Sequence, residues 1–181
     1  MTTTAVFAEM LVGGIQALIW VVLIALSIAQ PSQKHAYAIL ALKDWAVPAT
    51  PVLVAIAYAL GIVVDRIADS TFKHIFGKSS DPADLRLQVL ARGDKVTDFL
   101  EYIRSRIRVS RVTTLNLFVI TIAAGFALRL CTRASWYQTI AALIMLAVLT
   151  VCSLYTTLRI GETYEARLRQ AAALPPPVKK S

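Results

Sequence analysis

Reactive side chains are scarce in this chain. Its 181 residues include two histidines and two cysteines. His35 and His74 both fall outside the long apolar runs, so paired histidines cannot hold a haem inside a bilayer. A metal centre needs several ligands converging on one point, and no stretch supplies that spacing. GxSxG, Walker A and CxxC patterns are missing as well. No cofactor, metal or catalytic activity is therefore expected.

Charge is also in short supply. Only 17% of the residues are charged and 57% are hydrophobic, with a mean hydropathy of +0.63. A soluble domain is about a quarter charged and nearer half apolar. The deficit is concentrated in blocks. A hydrocarbon core about 30 Å thick needs roughly 20 apolar residues in a helix. Four runs qualify: residues 5–29, broken by Glu9 and Gln16; 46–64; 112–131, uncharged up to Arg129; and 136–158. The first has no basic leader and exceeds the usual length of a signal-peptide core, about 7–15 residues, so it is read as a retained span. The expected fold is all-α: a membrane four-helix bundle whose second and third spans continue into a helical hairpin over 65–111. An extension over 159–181 follows the fourth span. Pro48 and Pro51 are expected to mark the start of the second helix, because a first turn tolerates proline.

With four crossings, the N-terminus, the 65–111 segment and the tail share one side. Fifteen of the nineteen Lys and Arg lie there, leaving Lys34, Lys43, Arg129 and Arg133 opposite. Basic residues are retained on the cytoplasmic side, which predicts an inner (plasma) membrane protein with both termini in the cytoplasm. Trp45, Trp136 and Tyr137 fall at the other boundary, where amphipathic rings prefer to sit. The net charge of +8 reflects this retention, and no domain remains to host a nucleic-acid reading motif.

The stretch "YIRSRIRVSR" then explains itself. Arg104, Arg108 and Arg111 follow i, i+4, i+7 spacing and share one helix face, with Arg106 beside them. They stand just inside the cytoplasmic boundary, where each basic residue gains about 1 kcal/mol from anionic lipid. They are read as topology anchors in contact with anionic headgroups.

The hairpin is patterned on both arms. Ile67, Phe72 and Ile75 descend at helical spacing, and Val96, Phe99, Leu100, Ile103 and Ile107 ascend. Each stripe needs an apolar partner, and the two arms are expected to supply each other. The ascending arm projects roughly 25 Å at about 1.5 Å per residue. A short tip helix over 82–92 and a polyproline spacer, "PPPVKKS", complete the expected elements.

Polar residues inside the spans are the functional lead. Glu9, Gln16 and Asn116, with Arg66 at the end of span two, form an expected intramembrane polar cluster. A carboxylate at that depth is costly and marks function by default. The structural alternative is that Glu9 snorkels to the interface or pairs with Arg66 to lock the bundle, and an oligomer contact is a third reading. Gln16 beside Gly13 and Gly14 suits close helix packing with an amide bond across it.

Two function classes follow. One is a non-catalytic, oligomeric scaffold or sensor that engages a cytoplasmic protein through the hairpin. The other is an oligomeric pore or small transporter, with Glu9, Gln16 and Asn116 near the pathway.

Overall fold

A peptide group in hydrocarbon has no water to bond, so an apolar run must close its own hydrogen bonds as a helix. The computed structural model describes residues 3–29, 46–76, 94–131 and 135–173, and these form four helices. They are α1 (Thr3–Ala29), α2 (Ala46–Phe76), α3 (Asp94–Cys131) and α4 (Trp136–Ala173). Each contains a stretch long and apolar enough to cross a membrane. The chain is thus an all-helical, multi-pass membrane protein built as a four-helix bundle. The tip segment 82–92, Val96's side chain, Trp45, Lys34, Lys43, His35 and the proline-rich tail lie outside the described residues.

Helix ends follow local chemistry. Ser135 precedes α4, and the Gln138 side chain accepts the Ser135 N–H at 3.2 Å, as in half of a capping box. Pro48 lies in the first turn of α2. Pro51 does not: it stands inside the helix. Its missing N–H leaves the Val47 carbonyl without the usual i+4 donor. The helix is already formed when it reaches Pro51, so Pro48 alone marks its start.

Close approach fixes α1 against α2. A Cβ placed on Gly14 would overlap the Ala57 carbonyl oxygen, and one on Gly61 would overlap the Met10 carbonyl. Only glycine lets the two backbones meet at this distance. Gly13 serves a different neighbour, because a Cβ there would lie 2.7 Å from Cγ1 of Val112 on α3. Two adjacent glycines therefore seat α1 against two helices at once. Ala17, Val64, Ala68 and Val112 fill the space between, flanked by Trp20, Leu60 and Leu115.

Helix α4 is peripheral. Among the described residues it packs against α3 alone, while α1, α2 and α3 all touch one another. At 38 residues each, α3 and α4 run about 57 Å, nearly twice the hydrocarbon thickness of about 30 Å. Both project past the bundle at the same end, which is also the end of α2 that carries Arg66 and Lys73.

The apolar stripe of the ascending arm finds its partner on α4. Leu100 and Ile107 are buried against Tyr164, Leu168 and Ala171, with Ile103 and Ile160 at the margin. On the descending arm Phe72 is buried, but Ile67 and Ile75 are exposed, as is Phe99 across from them. Helices 2 and 3 both extend as expected; the mutual packing of their stripes is replaced by an α3–α4 pair. The cause is length. The fourth helix continues to residue 173, alongside α3, and offers Tyr164 and Leu168 at the right height.

Two glycine substitutions separate close approach from mere helix propensity. Gly14→Ala should destabilise the bundle by about 1–3 kcal/mol through backbone overlap. Gly161, whose Cβ would meet nothing within 4 Å, should gain about 0.5–1 kcal/mol on change to alanine. Unfolding in mild detergent, monitored by helicity, reads both.

Candidate functional site

The polar residues of α1 and α3 meet on one face. Asn116 is 1% exposed and uses its whole amide. Its Oδ1 accepts from the Trp20 indole N–H at 3.1 Å; its Nδ2 donates to the Gly13 carbonyl at 2.9 Å and to Gln16 Oε1 at 3.3 Å. An unbonded amide would be expensive in this setting. Here every group of the side chain is satisfied, and three positions of α1 are tied to one of α3. Trp20 is a member that the sequence reading misses. Its spacing of four from Gln16 is the available signal, since i and i+4 share a helix face.

Glu9 is placed one level nearer the basic end. Its Oε1 accepts a hydrogen bond from the Ser105 hydroxyl, while Oε2 is buried without a hydrogen-bond partner among the described residues. Arg66 points elsewhere and is exposed, so the expected Glu9–Arg66 lock does not form. Beside Glu9 is a cavity of about 10 Å³, lined among others by Gly13, Gly61, Asp65, Arg108 and Val112. That is close to the space one water molecule needs.

The arginines divide by role. Arg108 pairs with Asp65 at 3.7 Å and Arg111 with Asp69 at 3.3 Å, each spanning from α3 to α2. Arg111 also lies 5.8 Å from the Phe72 ring centre. Arg106 turns to the other side of α3, where its Nη2 donates to the Tyr102 hydroxyl at 2.6 Å. Arg104 is exposed and makes no ion pair among the described residues. The i, i+4, i+7 face is real: Arg104, Arg108 and Arg111 all line one cleft between α2 and α4.

A second polar seam is absent from the sequence reading. Ser110 and Thr157 hydroxyls are 2.6 Å apart, Thr114 and Ser153 2.8 Å, Thr114 and Thr157 3.1 Å, and Thr121 and Thr150 3.3 Å. Several of these threonines also donate to the carbonyl four residues back: Thr114 to Ser110, Thr121 to Leu117, and Thr157 to Ser153. Hydroxyls at positions 110, 114 and 121, facing 150, 153 and 157, form a ladder along the α3–α4 contact. Helical spacing of Ser and Thr on both spans is the signal that reveals it.

The contacts bring charged groups of three helices to one level: Glu9 meets Ser105, Asp65 meets Arg108, and Glu9, Asp65 and Arg108 line one cavity. Among the described residues, no group of three or more His, Cys, Asp or Glu could hold a metal ion. Comparison with protein-family models, curated sequences and solved structures gave no significant match.

Asn116→Leu keeps the volume but orphans the Trp20 N–H, the Gly13 carbonyl and Gln16. Interhelical side-chain bonds in membranes average about 0.6 kcal/mol and reach about 1.7, so a total loss of about 1–3 kcal/mol is expected. Glu9→Gln keeps an acceptor for Ser105 and exchanges one unbonded buried polar atom for another; it should change stability by less than about 1 kcal/mol. Denaturation of both variants in mixed micelles gives the comparison.

Proposed function

We propose that this chain is a non-catalytic membrane scaffold or sensor, with both termini and the helical projection in the cytoplasm of a cell whose inner membrane it spans. In this reading it assembles with further copies through its spans and holds a cytoplasmic protein on the projection. The observation that carries the proposal is the α3–α4 pair beyond the bundle. It has a buried core of its own, in which Leu168 is 1% exposed. Such packing makes a rigid platform rather than a loose loop. Phe99 and Tyr102 stand exposed on it, and aromatic side chains of this kind anchor protein contacts.

The fate of the intramembrane amides supports the same reading. Gln16 and Asn116 bond each other, and Asn116 also bonds α1 backbone and indole. Groups engaged in this way hold helices together and are not free to line a pathway. For assembly, α4 offers a long apolar face, including Ile144, Met145, Val148 and Val151, that no other described helix of the chain covers.

One observation favours a second reading, an oligomeric proton or ion pathway. The unpartnered Glu9 Oε2 stands beside a cavity that also contacts Asp65. Glu9→Gln separates the two: under the scaffold reading the purified protein conducts nothing in liposomes with either residue, and under the pathway reading a wild-type flux disappears with glutamine.

The scaffold is tested directly in cells with a photo-crosslinking amino acid. At Phe99 or Tyr102 it should trap a discrete protein partner, whereas at Val148, on the bare face of α4, it should trap lipid or a second copy. Identical products at all three positions would rule out the platform. A strict monomer in mild detergent would rule out the assembly.

A further inference from the structure

Among the described residues helices α2 and α4 do not touch, and α3 forms the floor between them. At the basic end this gap opens into a cleft of about 710 Å³. Leu158, the last residue of α4's uncharged run, lines it, so the cleft opens at the boundary and the α2–α4 gap continues below it between apolar spans. Above that level charged groups alternate with Phe72 and Ile107 along the walls. An anionic amphiphile at such a boundary places its headgroup among the cations and its chains in the apolar gap.

The charges do not cancel. Five cations and four carboxylates line the cleft. Asp65 is taken by Arg108, and Asp69 is shared between Arg111 at 3.3 Å and Lys73 at 2.5 Å. Glu162 lies 3.3 Å from Arg159 and Glu165 3.9 Å from Arg169, and neither of these arginines lines the cleft. Two guanidiniums remain: Arg66 on α2 and Arg104 on α3, both exposed and neither in an ion pair among the described residues. Guanidinium forks match phosphate oxygens in geometry as well as charge.

We propose that this cleft binds one anionic phospholipid, its phosphate held by Arg66 and Arg104 and its chains running down the α2–α4 gap past Leu158. The site does not depend on the scaffold reading. It replaces a diffuse contact by four arginines with a defined one, in which Arg108 and Arg111 build the wall, Arg104 takes the ligand and Arg106 has no role.

The test uses the full-length protein in phosphatidylcholine nanodiscs, titrated with phosphatidylglycerol and read by native mass spectrometry. The wild type should retain one phosphatidylglycerol per chain in preference to phosphatidylcholine. Arg66→Gln with Arg104→Gln should weaken that preference about thirtyfold, the factor two basic residues are worth near anionic headgroups. Arg106→Gln with Arg167→Gln removes equal charge outside the cleft, where Arg106 contacts Tyr102 and Arg167 contacts Gln170, and should change it less than about threefold, below the effect of a single headgroup contact. Gly161→Trp, which fills the α4 wall without touching charge, should abolish retention. Equal losses in the two arginine pairs would mean diffuse attraction and overturn the proposal, as would full retention with Gly161→Trp. Displacement of the lipid by millimolar glycerol phosphate would identify a soluble phosphate ligand and overturn it too.

Discussion

Backbone contact between α1 and α2 at Gly14 and Gly61 sets the height of everything else. Once those two helices meet carbonyl against glycine, neither can slide by a residue without a collision. Gly13 then receives Val112, and Asn116 bonds α1 from a single position on α3. With α3 fixed, the hydroxyl ladder fixes α4. The result is a common level at which Glu9, Asp65 and Arg108 meet around one small cavity. A bilayer has a flat boundary, and a charge below it costs several kcal/mol by insertion scales. Helix register and membrane boundary therefore impose the same constraint.

Two kinds of contact hold the helices together where no hydrophobic driving force separates protein from lipid. The inner three helices rely on small residues and one fully bonded amide. The outer pair relies on hydroxyls, several of which also bond a carbonyl of their own helix. A hydroxyl bonded back to residue i−4 is never orphaned when its cross-helix partner moves away. An amide such as Asn116 has no comparable refuge. The seam along α4 is thus forgiving, and the seam along α1 is not.

Much of the architecture was legible in the sequence, because partition between water and hydrocarbon acts on each segment by itself. Four apolar runs of about twenty residues admit one reading wherever their neighbours lie. The continuation of helices 2 and 3 was legible for a similar reason, since helical periodicity is a property of one segment alone. What could not be read was partnership. The stripe through Leu100, Ile103 and Ile107 announces an apolar face but not which helix covers it; Tyr164 and Leu168 do so, and Ile67 and Ile75 do not. The same holds for charge. Glu9 meets Ser105 where a salt bridge with Arg66 was the natural expectation. The arginines share a face as their spacing requires, yet two of the three are consumed by Asp65 and Asp69. Pairing depends on rotation about each helix axis, which composition does not encode.

The peripheral position of α4 has a mechanical consequence. An element with several neighbours opens only when all its interfaces fail, whereas α4 has one among the described helices. Local opening is governed by the weakest cooperative unit, so this helix should be the first region of the molecule to detach and the last to dock. Its far end carries half of the projecting core. A force applied to that tip acts as a lever on the ladder below, whose hydroxyls would then unzip in sequence, falling back on the carbonyls of their own helices.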